Sequence, residues 1–202
     1  MSARIAGTGL VFAILTACGG SGPAIVYRNP PVVENPPEAV TCGFGARVRA
    51  GLNKDHWHQW CERARKMEGP YERYNLEGTL LIKGSFKNNS PDGLWTWNHD
   101  DGSRLVTGSY QEGGRTGEWE WRHVNGETAQ TGGFYQDAQD GEWLTFFSDR
   151  TPASKGRFVQ GKRNGLWTWW TEDGRTMREQ SWQDGALLAD VTPGREPELI
   201  NP

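Results

Sequence analysis

The sequence predicts an all-β protein: an elongated single-layer antiparallel sheet of stacked 24-residue β-hairpins, preceded by one short α-helix. Three observations predict it. Gly93-Leu-Trp95-Thr-Trp97 returns as Gly117-Glu-Trp119-Glu-Trp121, Gly141-Glu-Trp143 and Gly165-Leu-Trp167-Thr-Trp169, at a constant step of 24. A fixed period of this size marks supersecondary units that cannot bury an apolar face alone and must stack. The same step links the aromatic residues Phe86, Tyr110, Phe134, Phe158 and Trp182, which follow Gly84, Gly108, Gly132, Gly156 and Gln180 by two positions. Finally, 27 Gly and 11 Trp in 202 residues suit many short strands and tight turns.

At the N-terminus, Arg4 precedes an apolar run from Ile5 to Leu15. The run is too short to cross a bilayer, which needs about 20 apolar residues, and has the size of a secretory signal core. It ends in Leu15-Thr16-Ala17-Cys18. These four residues resemble the lipobox of bacterial lipoproteins. The resemblance implies removal of residues 1–17 as a leader and acylation of Cys18, whose several acyl chains would anchor the chain stably. Gly19 stands where an Asp tends to retain such proteins at the inner membrane, so the segment is similar to the outer-membrane pattern. The expected address is the cell envelope, lipid-anchored to the outer membrane. Residues 18–41 carry Gly, Ser and paired prolines up to Pro37 and read as an extended tether.

Residues 42–68 read as a short helical cap. Within it, Asn53 to Met67 fits a helix: Trp57, Trp60, Cys61 and Ala64 follow helical spacing, Asn53 offers a cap, and Gly69-Pro70 stops it. With Cys18 acylated, Cys42 and Cys61 remain as a pair in an exported chain, where a disulfide is the default. The rival is a metal site from His56, His58 and Cys61, but no second cluster stands at zinc-finger spacing, so no metal is assigned.

Five copies tile residues 69–188 as 69–92, 93–116, 117–140, 141–164 and 165–188. In each, Trp95 and Trp97, or their equivalents, are two apart and share one face of a first strand. His99-Asp-Asp-Gly102 supplies the hairpin turn. Val106, Gly108 and Tyr110 share a face of the second strand, and the Gly makes room for a neighbouring Trp. Thr96, Glu118, Glu120 and Thr168 lie on the opposite, polar face. The fourth copy has Arg150-Thr-Pro152 in place of a tight turn, so an outward bulge is expected there. Residues 189–202 read as a disordered tail.

Gly93-x-Trp95, Gly102, Gly108-x-Tyr110 and Gly113, repeated as Phe158, Gly161, Gly165-x-Trp167 and Gly174, resemble the MORN repeat. They are closer to the bacterial MORN-2 variant of YwqK-family antitoxin-like proteins. The resemblance covers about residues 69–188. It implies an open hairpin array that binds proteins or membranes and performs no chemistry. Choline- or glucan-binding cell-wall repeats look superficially similar, although only Trp169-Trp170 has their adjacent aromatic pair.

Lys+Arg 22 against Asp+Glu 25, a net charge of −3, gives no electrostatic footprint for nucleic acid. No nucleophile triad, phosphate loop or dinucleotide-binding Gly pattern is present, so neither an enzyme nor a cofactor nor a small-molecule substrate is expected. The expected function is a non-enzymatic, lipid-anchored scaffold with a protein partner, immunity-like in its sharper form. The alternative is a cell-wall or glycan-binding module that stacks sugars on exposed aromatics. If binding resides where the copies differ, the candidates are Arg115, Arg150, Lys162, Arg163 and Trp170.

Overall fold

A computed structural model describes residues 37–53, 55–194 and 198–199. The leader, Cys18 and the tether up to residue 36 lie outside the described residues. The strands are β1 (Arg47–Asn53), β2 (His56–Arg63), β3 (Lys66–Tyr74), β4 (Leu80–Lys87), β5 (Ser90–Pro91), β6 (Gly93–Asn98), β7 (Arg104–Gln111) and β8 (Gly114–Arg122). They continue as β9 (Thr128–Tyr135), β10 (Ala138–Phe146), β11 (Pro152–Val159), β12 (Lys162–Trp170), β13 (Thr176–Gln183), β14 (Ala186–Val191) and β15 (Glu198–Leu199). They form one open antiparallel sheet in which each strand pairs with its successor, except that β5 is a side pairing on β4. The predicted all-β meander is therefore the observed one.

The predicted helix is not. Asn53 to Met67 forms the end of β1, all of β2 and the start of β3. β2 is hydrogen-bonded on both sides, through Gln59 to Ala50 and to Glu72 for example. An isolated helix of this length is marginal in water, whereas a strand here gains two ladders. The turn between β2 and β3 holds Ala64 and Arg65 at φ 49° and 65°, the left-handed pair of a type I′ hairpin. Ala, Arg, Lys and Met are helix formers, so the usual Gly or Asn signal of that turn is absent. β2 ends at Arg63 and β4 at Lys87, one period apart. The cap is thus a further hairpin in phase with the repeats, without their Gly and Trp code. Cys61 is wholly buried and bonded to Cys42 with Cα atoms 5.6 Å apart.

The repeat code is a packing rule. An added Cβ on Gly84, Gly108, Gly132 or Gly156 would lie 2.2, 2.1, 2.2 or 2.0 Å from the indole of Trp95, Trp119, Trp143 or Trp167. Each indole therefore lies flat on the Gly of the strand before it. Trp97 bridges successive indoles, 5.9 Å from Trp95 and 5.6 Å from Trp119, and Trp121 repeats this between Trp119 and Trp143. Tyr110 and Phe134 stand edge-on to Trp119 and Trp143. Such aromatic pairs add about 0.5–1.5 kcal/mol each beyond their area burial.

Both ends of this ladder are closed by exceptions. Trp60 occupies the Gly phase of the first hairpin and Arg47 the Trp phase. At the other end Gln180 replaces the Gly and Val191 the next Trp. Gln180 donates to Asp190 at 2.9 Å, and Arg178 bonds the same carboxylate.

Two further expectations are corrected. The turn at Arg150 does not bulge outward. Phe147 N donates to Thr151 O at 2.9 Å and Arg150 N to Phe147 O at 3.0 Å, the pattern that His99, Gly102 and Ser103 make. Arg150 accepts φ 74° in place of Gly, and Asp149 stabilises the turn through Thr151. The C-terminal segment is not wholly a tail either, because β14 runs to Val191 and β15 pairs with it.

Gly108→Ala should lower stability by about 3 kcal/mol, the upper end for overpacking a tight site. Gly126→Ala meets no atom but sits at φ 85°, so it should cost only about 1–2 kcal/mol. Denaturant midpoints of the two variants test the packing rule, and equal losses would refute it.

Candidate interaction surface

The two faces of the sheet have different fates. On the aromatic face, Trp95, Trp119, Trp143 and Trp167 are only 4–6% exposed, and Trp97, Trp121 and Trp169 are half-buried beside them. The fourth copy lacks the second indole. Thr145 stands there and its hydroxyl bonds that of Ser154 at 2.7 Å. Two of the expected binding residues belong to this ladder. Arg115 lies 4.1 Å over the Phe134 ring and donates to Asp137 at 2.5 Å. Arg163 lies 4.7 Å over Trp167 and 5.0 Å over Trp182. Cations over aromatic faces are held electrostatically, so both side chains brace the stack.

The other candidates are scattered. Arg150 is exposed in its turn, 3.3 Å from Glu127. Lys162 runs against Gly185 at the loop edge. Trp170 is half-buried at the end of β12, opposite Thr176. The structure does not bring these three together with the two arginines of the ladder.

The polar face is the continuous surface. A register row crosses it from Lys83 to Thr96, Thr107 and Glu120, and onward through Lys155 to Glu179. It spans eight strand steps of about 4.8 Å, or roughly 38 Å. Beside it stand Leu94, Glu118, Glu142 and Leu166, each between a repeat Gly and its Trp. Leu94 is 61% and Leu166 56% exposed, and both glutamates are exposed. Alternation alone puts Glu118 on the polar face, opposite the Trp. Leu94 and Leu166 escape notice in the sequence because they lie inside the repeated pentapeptide, although the position changes from Leu to Glu and back.

A recess of about 260 Å³ opens on this face between β10, β11 and β12, lined by Glu142, Lys155, Arg157, Asn164 and Leu166 among others. Lys155 pairs with Glu142 at 2.7 Å across it. A second recess, of about 460 Å³, lies at the turn edge against Asp55, His56, Glu77 and Asp100. Among the described residues, no three His, Cys, Asp or Glu side chains gather closely enough to hold a metal ion.

Near the cap the polar face carries a buried network. Gln59 at 2.9 Å and the Tyr74 hydroxyl at 2.6 Å both donate to one Glu72 carboxylate oxygen, while Lys83 lies 3.1 Å from the other. Gln59 also donates to the Glu38 carbonyl, which fastens the segment before Cys42 to this face. Burial pushes the Glu72 carboxyl up, but Tyr74, Lys83 and Gln59 outweigh it and hold the pKa below the ordinary glutamate value. Burial, joined by the hydrogen bond to the Glu72 carboxylate and its charge, pushes the Tyr74 phenol up against a smaller opposing effect of Gln59.

Residues 67–88 match the family described as MORN repeat variant. The chain thus carries a MORN-type repeat, and the fold extends that unit in phase on both sides. None of the curated proteins matches the sequence. The crystal structure of TarM is similar at 8% identity over 77% of this chain and 21% of that chain, with a TM-score of 0.18. The chain spans about a fifth of that structure's length, and the likeness is too slight to carry an argument.

A folded pKa depressed below the unfolded value contributes stability that is complete above the unfolded pKa and is lost as pH falls through the folded one. Glu72 should therefore contribute to acid unfolding below about pH 4.5, its ordinary value. Unfolding midpoints measured against pH should show a shallower acid limb in Glu72→Gln. An unchanged slope would assign those protons elsewhere.

Proposed function

We infer that this protein is a non-enzymatic interaction scaffold whose polar sheet face binds another protein. The observation that carries the reading is the division of labour between the faces. The aromatic face is consumed by its own ladder, and the opposite face offers Leu94 and Leu166 on either side of Glu118 and Glu142. Leu94 and Leu166 lie six strand steps, roughly 29 Å, apart, so they are separate contact points on one wide face. The MORN-type repeat at residues 67–88 supports it, since open arrays of this kind present extended surfaces.

The lipobox-like Leu15-Thr16-Ala17-Cys18 supports an envelope address for the scaffold, with Cys18 acylated and the repeats facing the periplasm or the surface. In its sharper form the scaffold is immunity-like, as in YwqK-family antitoxin-like proteins, and its partner is a toxin acting in the envelope. The glycan-binding alternative has lost its main residues, because the four principal Trp side chains are buried.

Crosslinking the full-length protein in its own envelope should recover one stoichiometric partner. Leu94→Asp with Leu166→Asp should weaken that recovery tenfold or more, as expected when central contacts worth about 2 kcal/mol are lost. Retention in the cell-wall fraction without a partner, unaffected by the double variant, would favour glycan binding. Incorporation of a fatty-acid analogue, abolished in Cys18→Ser, tests the anchor separately.

A further inference from the structure

We propose that the corner formed by the Gly43–Gly45 turn and the β2–β3 turn docks on an anionic lipid bilayer. Phe44 is 100% exposed, the most exposed of the large apolar side chains on the described chain. A solvated Phe on a loose segment would mean little. This one sits two residues from Cys42, whose disulfide to Cys61 ties the turn to the buried side of β2. Arg63 also donates to the Phe44 carbonyl at 2.5 Å, and Ala46 N closes the turn on Gly43 O at 3.1 Å. The ring is held out by a fastened backbone.

The exposed charges around it are cationic. Arg63, Arg65 and Lys66 are exposed in the β2–β3 turn, and Arg47 is exposed at the start of β1. Register places them together: Arg47 stands opposite Glu62, and Arg63 opposite Lys66. The nearby carboxylates are engaged. Glu62 accepts from Arg49 at 2.9 Å, and Glu68 accepts from the Asn88 backbone at 2.8 Å. The corner is thus a projecting aromatic ring with four cations beside it, on a chain whose net charge is −3.

That combination matches an anionic bilayer better than an acidic protein. An aromatic ring enters the headgroup boundary without needing a complementary pocket. Cations near the surface add attraction that falls off within a Debye length. The repeats themselves carry no such stripe, so contact would be confined to this end of the sheet. The polar face would then remain free for a partner. The proposal draws its setting from the membrane-tethered reading, but the binding does not require acylation of Cys18.

The full-length Cys18→Ser protein should co-sediment with vesicles of phosphatidylglycerol and phosphatidylcholine. It should do so much less with phosphatidylcholine alone, and the excess should vanish at high salt. Against that parent, Phe44→Ser should lower the partition coefficient about tenfold. Arg65→Glu with Lys66→Glu should lower it further, at roughly fivefold for each cation removed. Phe44 touches little, so near-ultraviolet circular dichroism should show the disulfide-bonded fold unchanged. Equal sedimentation of parent and variants would overturn the proposal, because any binding would then come from elsewhere in the chain. Binding to polyglutamate but not to vesicles would also overturn it, in favour of an acidic protein. Failure to acylate Cys18 would refute the anchor and leave this result standing.

Discussion

The fold depends on one contact: an indole lying on the backbone of the preceding strand where a side chain would otherwise stand. The missing Cβ of Gly108 and the ring of Trp119 cannot be exchanged independently. Each copy donates the ring and its predecessor supplies the bare backbone, so the contact is always between neighbours. This is why a 24-residue hairpin that cannot bury its own Trp becomes stable in an array. The bridging Trp97 and Trp121 then convert a set of pairwise contacts into a continuous stack. A sheet with only one layer acquires an interior on one side.

The rest of the structure follows from that asymmetry. Once one face is filled, the other has no packing to do, and its residues are constrained only by strand pairing and solvation. Thr, Glu, Lys and Leu alternate there without a fixed rule, while the Gly and Trp positions beneath them do not vary until the ends. The places where sequence could encode a partner are therefore the residues interleaved with the repeat code. Arg115 and Arg163 share one phase, two periods apart with Gln139 between them. They look free in the sequence, but each lies over an aromatic ring of the ladder, Phe134 or Trp182.

What was legible in the sequence, and what was not, has the same cause. Period and alternation exposed the repeats because Gly, Trp and Asp-Gly turns each carry a steric requirement. The first hairpin was misread because it meets the same geometry with other residues. Trp60 fills the Gly phase, and Ala64-Arg65 makes the left-handed turn. Ala, Arg and Lys there speak for a helix, and pairing with β1 and β3 overrides them. The disulfide was readable from chemistry alone. Its consequence, a pinned and projecting Phe44, was not, since exposure is a property of the assembled turn.

The closed ends of the aromatic ladder make the protein a ruler. Arg47 supplies no ring to lay on a unit added upstream, and Gln180, bonded to Asp190, offers no bare backbone to a ring from downstream. Between those stops every junction repeats the indole-on-Gly contact. A unit duplicated between Gly117 and Gly141 would find its Gly and its Trp already supplied on both sides. It would lengthen the polar face by two strands, about 10 Å, without disturbing either terminus. Reach can therefore change by whole copies, while the two ends, and whatever they touch, stay as they are.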